Sequence, residues 1–192
     1  MTFPRLRIRP SPTAAVIGAM ALLAGSCSST PEAPLVCPEV ALVSDAVTIT
    51  RFSPGRGQDL TDVDYTAELT DFDLQCAYSG SRDADQRVVV VALAPVITVI
   101  RGPANVDRTA TMDYIVSVTD QQRNILSAQR FPVSVRFAGN RSRATLTDND
   151  PPVTVAIPLA PGASADSYQI FVAFHLSPEE LDYNRRTQGP RL

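Results

Sequence analysis

An alternation of apolar and polar residues with a period of two runs through the chain from Val36 onward, and it constrains the fold more than any other feature. In the segment 63–69 the odd positions are apolar and the even ones polar, as in a strand that buries one face. The segment 88–100 is apolar on both faces, which predicts a central strand, and Pro95 within it predicts a bulge or a bend. Helical periodicity is nearly absent, so the chain is predicted to be built from strands.

Turns rich in Gly, Pro, Asn and Asp separate further segments of the same kind. Eight or nine closely spaced strands predict an all-β fold, an antiparallel β-sandwich with immunoglobulin-like or fibronectin-like architecture. Asp71–Asp73 is interpreted as a turn between two strands, and Asp166–Tyr168 resembles the tyrosine corner of such domains. The predicted strands are 47–52, 63–69, 74–78, 88–100, 110–118, 125–137, 143–147, 153–159 and 167–176.

One short C-terminal helix is predicted after the last strand. Ser177 is a helix-capping residue, Pro178 suits the first helical position, and Glu180 follows three residues after the cap. Two turns of helix are not stable alone in water, so Leu181 and Tyr183 are expected to pack against the sandwich or against a partner. The sandwich domain is therefore assigned to 36–176, and the helix and tail to 177–192.

The first 26 residues predict a secretory signal peptide. A basic start is followed by an unbroken apolar stretch at 14–24 and then by small residues. Eleven apolar residues span about 16 Å as a helix, which is too short for a hydrocarbon core of about 30 Å. The chain is therefore predicted to be exported.

Leu22–Cys27 resembles the lipobox of bacterial lipoproteins. That resemblance implies that the signal peptide is removed before Cys27, that Cys27 is lipidated, and, with Ser28 following, that the protein is held at the outer membrane. The alternative is an ordinary signal peptide, with Cys27 as a disulfide partner. Residues 27–35 would form the lipidated start and a flexible tether, reaching about 30 Å at most.

Two cysteines remain if Cys27 carries the lipid. Cys37 and Cys76 are an even pair in an oxidising compartment, which predicts a structural disulfide. A redox pair is the alternative, but the chain contains no Cys-x-x-Cys spacing. A disulfide closing this loop would stabilise the domain by about 4 kcal/mol in the chain-entropy model.

Six short motifs of the chain resemble a family of small envelope lipoproteins of alphaproteobacteria. The resemblance implies an envelope location and a strand-rich fold, and it implies no mechanism. The motifs are Cys37-Pro38, Arg51–Gly55, Asp59–Val63, Cys76–Tyr78, Arg101–Pro103 and Leu181–Arg185.

Composition excludes several kinds of chemistry. All 17 basic residues are arginine, so Schiff-base and P-loop lysine chemistry is excluded. His175 is the only histidine, and no serine lies in a nucleophile-elbow sequence, so a hydrogen-bonded, non-catalytic histidine is favoured over a Ser-His-Asp hydrolase. The mature chain would carry 14 − 20 = −6 charges, which disfavours nucleic-acid binding. No enzymatic activity and no cofactor is predicted.

Paired carboxylates are predicted to be solvated surface or turn residues rather than a glycosidase site. The pairs are Asp62/Asp64, Asp71/Asp73 and Asp83/Asp85, each two residues apart.

Two further groups of side chains suggest ligands. Asp148, Asn149 and Asp150 resemble the calcium-binding linker of cadherin-type sandwiches, although the same residues also make good turns between strands. Arginines at 136, 141 and 143, with those at 185, 186 and 191, would meet an anionic lipid or lipopolysaccharide, or they form only a solvated end.

These observations together predict a non-enzymatic, lipid-anchored β-sandwich facing the periplasm, an accessory or scaffold protein of the cell envelope. Its expected partners are membrane lipid, through the acyl anchor on Cys27, and an envelope protein. The alternative is a ligand-binding or calcium-binding module that uses Asp148, Asn149 and Asp150.

Overall fold

A computed structural model describes residues 36–55, 57–80, 87–161 and 163–188. The predicted signal peptide, the lipidation site Cys27 and the tether lie outside these ranges, as do Asp83, Asp85 and Arg191. The described residues belong to one compact unit.

The described residues form nine strands in two sheets and one C-terminal helix, which confirms the predicted all-β sandwich. One sheet has the order β1-β9-β5-β6, and the other has the order β2-β3-β4-β7, with β8 also paired to β4. The elements are β1 Glu39–Leu42, β2 Thr48–Phe52, β3 Val63–Ser79, β4 Arg87–Arg101, β5 Thr109–Asp120, β6 Ile125–Arg136, β7 Arg143–Thr147, β8 Val153–Leu159, β9 Tyr168–Phe174 and the helix α1 Pro178–Gln188.

The core lies between the two sheets. Most inward positions of the long strands are apolar, as the period of two predicts. The largest side chains that are fully buried are Tyr114, Phe137, Ile49, Leu93, Ile97 and Ile170.

Strand β1 departs from the predicted antiparallel arrangement. It pairs with β9 in parallel, from Glu39 opposite Gln169 to Leu42 opposite Val172. The other strand pairs within the described ranges are antiparallel. A four-residue strand at the edge of a sheet carries too little alternation to be distinguished from the segment that leads into it.

The turn predicted at Asp71–Asp73 is wrong. Strand β3 runs through it without interruption, and its register against β4 shifts between Leu69 and Asp71. Odd residues face the core before this bulge, and even residues face it afterwards. One extra residue in a strand reverses which face is buried, so the sequence shows the same change of phase that a turn would produce.

Pro95 marks the point where β4 changes its neighbour. Residues before it pair with β8, residues after it pair with β7, and the strand itself is continuous. The bulge expected here lies in the partner strand β3 instead, close to Pro95 in the register. Pro95 has no N–H to donate. It lies between the part of β4 that pairs with β8 and the part that pairs with β7, where no hydrogen bond of the sheet requires that N–H. Its carbonyl accepts a hydrogen bond from the N–H of Asp148 at 3.0 Å.

Helix α1 begins with the predicted capping pair. The Ser177 N–H donates to Oε2 of Glu180 at 2.8 Å, and the Glu180 N–H donates to Oγ of Ser177 at 3.2 Å. Each side chain thus satisfies a backbone N–H that the helix itself leaves free.

The same helix packs on the sandwich through a buried amide. Asn184 is 2% exposed, and its Nδ2 donates to the carbonyls of Asp45 at 3.0 Å and Thr48 at 2.7 Å. Tyr183 meets Phe52 edge to face with the ring centroids 5.3 Å apart. The helix is therefore part of the domain.

The predicted disulfide is present and joins the two sheets. Cys37 precedes β1 in one sheet, Cys76 lies in β3 of the other, and their Cα atoms are 6.0 Å apart. Beside it, the Tyr78 hydroxyl donates a hydrogen bond to the Val36 carbonyl. We call this part of the sandwich the disulfide end.

Candidate functional site

A cleft of about 400 Å³ opens where strand β9 stops short of its neighbour. Because β9 ends at Phe174, opposite Tyr114, the first five residues of β5 are paired only with β6. The chain then turns through His175 into α1, which packs beside β2 and leaves the cleft between them. The cleft is lined by Arg51, Thr111, Met112, Asp113, His175, Ser177 and Glu180.

Two ion pairs account for the carboxylates of this cleft. Arg51 Nε lies 3.1 Å from Glu180 Oε1, which ties β2 to the first turn of α1. Arg130 Nε, on β6, lies 3.4 Å from Asp113 Oδ2 on β5. Both arginines are about half exposed, so the two pairs contribute little net stability, in the range of about 0–1 kcal/mol each.

His175 lies at the mouth of the cleft and is exposed. Its ring contacts the guanidinium of Arg130, and its backbone N–H donates to the Asp113 carbonyl at 2.8 Å. The histidine therefore has polar neighbours, as the sequence analysis favours.

Ser177, His175 and Asp113 line the same cleft, a grouping that the sequence analysis missed. Ser177 Oγ accepts the capping hydrogen bond from Glu180, and the Asp113 carboxylate pairs with Arg130. Among the hydrogen bonds of the described residues, none joins the His175 ring to either side chain. Nucleophilic catalysis of the triad type requires both contacts, so this arrangement is not that of a hydrolase triad.

Tyr65 lies beside the cleft, next to two of the residues that line it, Arg51 and Thr111. Its hydroxyl crosses from β3 to the other sheet and donates to the Thr111 carbonyl at 2.5 Å. Burial raises the pKa of the Tyr65 phenol, and the neighbouring Arg51 guanidinium offsets part of that rise. The phenol therefore acts as a neutral hydrogen-bond donor between the sheets.

The calcium candidate lies in the connection between β7 and β8, away from the cleft. Asp148 Oδ2 accepts a hydrogen bond from the buried Tyr114 hydroxyl at 2.6 Å, and the Asn149 N–H donates to the Thr147 carbonyl at 3.1 Å. Asp150 is exposed. Within the ranges that the structure describes, no group of three or more His, Cys, Asp or Glu side chains is placed to hold a metal ion.

Replacing Tyr114 with phenylalanine is expected to lower the free energy of unfolding by about 1–2 kcal/mol, because Asp148 loses a buried donor. Burial, with Asp148 beside it, raises the pKa of Tyr114 above the ordinary 10.0. As the pH rises, Tyr114 loses its proton at a lower pH in the unfolded chain than in the folded protein. The stabilisation that the neutral phenol gives the folded protein is therefore complete below pH 10 and declines as the pH rises above it. Urea unfolding from pH 7 to pH 11 should therefore show a shallower alkaline decline in the variant. Equal slopes for the two proteins would contradict the assignment.

The structure divides the arginines that the sequence analysis grouped together. Arg136, Arg141 and Arg143 flank one connection, from β6 to β7. Arg185 instead lies 3.2 Å from the Asp45 carboxylate, beside the start of β2, which pairs with Glu68 part-way along β3. The paired Asp71 and Asp73 are exposed on the outer face of β3.

The residues that line the cleft come from β2, β5, the segment between β9 and α1, and α1 itself, and no local motif links them in the sequence. Comparison with family models, curated proteins and solved structures gave no match. In the described part of the chain, no helix has the length and hydropathy needed to cross a membrane.

Proposed function

We propose that this chain is a non-enzymatic, lipid-anchored β-sandwich of the bacterial envelope, facing the periplasm at the outer membrane, where it serves as an accessory or scaffold protein. The observation that carries this proposal is the separation between the two ends of the sandwich. The chain reaches the domain at the disulfide end, whereas the two most exposed large apolar side chains of the described residues, Leu60 and Val106, lie in loops at the other end. A protein fastened by Cys27 would therefore offer that other end to a partner.

The strand registers define the two ends. Tyr78 opposite Val89 and Glu39 opposite Gln169 lie at the disulfide end. The opposite end carries the β2–β3, β4–β5 and β6–β7 connections, and we call it the loop end. Since β3 has 17 residues, the sandwich is about 55 Å long at roughly 3.3 Å per residue.

Exposed aliphatic side chains at the loop end support a role in binding. Leu60, in the β2–β3 connection, is 82% exposed, and Val106, in the β4–β5 connection, is 85% exposed. The Ala104 N–H donates to the Val63 carbonyl at 3.0 Å, so the two connections are packed side by side. Apolar residues exposed together at loop tips are typical of interaction surfaces.

The cleft supports the non-enzymatic part of the proposal. Its carboxylates are engaged with arginines, and its serine caps a helix. Those contacts connect α1 to β2 and β5 to β6, which is a structural role.

Replacing Cys27 with serine is expected to abolish lipidation. In cells fed a radioactive or alkyne-tagged fatty acid, the native protein should carry the label and fractionate with the outer membrane, and Cys27→Ser should carry none. Ser28→Ala is the matched control and should keep the label, because it leaves the thiol in place. An unlabelled native protein, or a labelled Cys27→Ser variant, would contradict the proposal.

Contact with an envelope protein is tested by photocrosslinking in cells. A photoreactive residue at Leu60 should give a discrete protein adduct, whereas one at Arg123, in the exposed β5–β6 turn at the disulfide end, should give none. Identical adduct patterns from the two positions would argue against a scaffold that binds through its loop end.

A further inference from the structure

We propose that the arginine-rich half of the loop end docks on an anionic phospholipid bilayer other than the one that holds the anchor. The inference rests on the proposed function in one respect, since it takes Cys27 to be fastened at the disulfide end. We call this half the basic patch, and we define it as Val106, Arg108, Arg136, Arg141 and Arg143.

Four arginines of the basic patch are solvent-exposed cations. Arg108, Arg136, Arg141 and Arg143 are exposed, and no carboxylate of the described residues lies within ion-pair distance of any of them. Val106 stands in the same group with 85% of its surface exposed. An uncovered aliphatic side chain among guanidinium groups that have no carboxylate partner in the described residues matches an interface that is anionic at its surface and apolar beneath it.

The connections that carry the patch are fastened to each other. Arg108 Nη1 donates to the Gly139 carbonyl at 2.7 Å, and the Arg108 carbonyl accepts from the Phe137 N–H at 2.9 Å. Arg108 adopts a φ of 56°, a conformation that a non-glycine residue keeps only when its surroundings impose it. The β4–β5 and β6–β7 connections are thus held together, which places Val106 and Arg141 on one surface.

Charge is unevenly distributed across the loop end. Asp107 is the acidic residue next to the basic patch, whereas Asp59, Asp62 and Asp64 belong to the β2–β3 side. The proposed docking half therefore carries four arginines and one carboxylate. Guanidinium groups bind phosphate oxygens through two parallel hydrogen bonds, which suits phospholipid headgroups.

The length of the sandwich places this contact away from the anchor. The chain joins the domain at Cys37, which is bonded to Cys76, and β3 extends about 43 Å from Cys76 to Val63 at the loop end, at roughly 3.3 Å per residue. A bilayer that faces the loop end is therefore the natural acceptor.

The test uses the full processed protein in two vesicle populations. Donor vesicles of phosphatidylcholine carry the acylated protein and are immobilised on beads. Fluorescent acceptor vesicles consist either of phosphatidylcholine alone or of phosphatidylcholine with phosphatidylglycerol. Acceptors rich in phosphatidylglycerol should be recruited, and neutral acceptors should not. Recruitment should fall strongly at about 1 M salt, where charges are screened beyond about 3 Å.

Three variants locate the contact. Reversing two charges with Arg141→Glu and Arg143→Glu should lower recruitment by more than about tenfold, and Val106→Ser should lower it without any change of charge. Arg186→Glu, an exposed arginine on α1, is the matched control and should behave as the native protein. All the altered side chains are exposed, and circular dichroism verifies that each variant is folded.

The outcomes separate this inference from the proposed function. The inference is wrong if the protein floats with the donor vesicles but does not recruit anionic acceptors. It is also wrong if the double charge-reversal variant recruits them normally. In both cases the proposed anchor at Cys27 is unaffected. If Cys27 is unmodified and the protein does not float with the donors, the proposed function is wrong. The unanchored protein is then mixed directly with the anionic vesicles, and the same variants decide whether the basic patch binds them.

Discussion

Replacing Gly102 with alanine is expected to lower the free energy of unfolding by about 3–5 kcal/mol. A Cβ at this position would lie 2.0 Å from the Val63 carbonyl oxygen and 2.6 Å from its carbonyl carbon. These are backbone atoms of β3, so they cannot rotate away as the end of a side chain can. The Gly102 N–H also donates to the Asp64 carbonyl at 2.8 Å, and separating the two segments would lengthen that bond.

Gly57→Ala is the matched control for this prediction. A Cβ at residue 57 would meet Oδ2 of Asp62 at 3.1 Å, which is the end of a side chain that can move by a few tenths of an ångström. Urea unfolding followed by circular dichroism should therefore show a large fall in midpoint for Gly102→Ala and a small one for Gly57→Ala. Similar midpoints for the two variants would mean that the β4–β5 connection moves away from β3 at little cost.

The parts of the fold that depend on local patterning were predictable from the sequence. Alternation with a period of two identified the long strands, because each of them buries one face against the opposite sheet. The capping pair of Ser177 and Glu180 gave the start of the helix, because its two hydrogen bonds involve only neighbouring residues. The disulfide followed from the number of cysteines rather than from their geometry.

Features that depend on distant parts of the chain were not predictable. A bulge and a turn leave the same change of phase in a sequence, and only the pairing of β3 with β4 across 71–79 distinguishes them. The parallel pairing of β1 with β9 joins residues 130 positions apart, Glu39 and Gln169. Four residues give no periodicity from which such a pairing follows.

The cleft was also outside the reach of sequence analysis. Its existence depends on where β9 ends relative to β5, which is a matter of register. Arg51 and Glu180 are far apart in the chain and meet because α1 packs against β2. The sequence around either residue does not indicate which residue it pairs with.

Removing the disulfide with Cys37→Ala and Cys76→Ala together is expected to lower the free energy of unfolding by about 4 kcal/mol, because the bond closes a loop with a sequence separation of 39. Urea unfolding of the double variant measures the loss. Native protein treated with a thiol reductant is the matched control, and it should lose about the same amount, since it lacks the bond but keeps both side chains. A much smaller loss in both samples would mean that the two sheets hold together at this end without the crosslink.

The effect of removing the disulfide should be confined to one end of the sandwich. Cys37 and Cys76 connect β1 to the second half of β3, which at this end is paired only with β4 on one side. Hydrogen exchange should therefore rise first in β1 and in residues 74–79, while 63–69, paired on both sides with β2 and β4, stay protected. A uniform rise in exchange over the whole sandwich would contradict this. An opening limited to the disulfide end would leave the loop end folded, because the hydrogen bonds that fasten the β4–β5 and β6–β7 connections do not involve β1 or the crosslink.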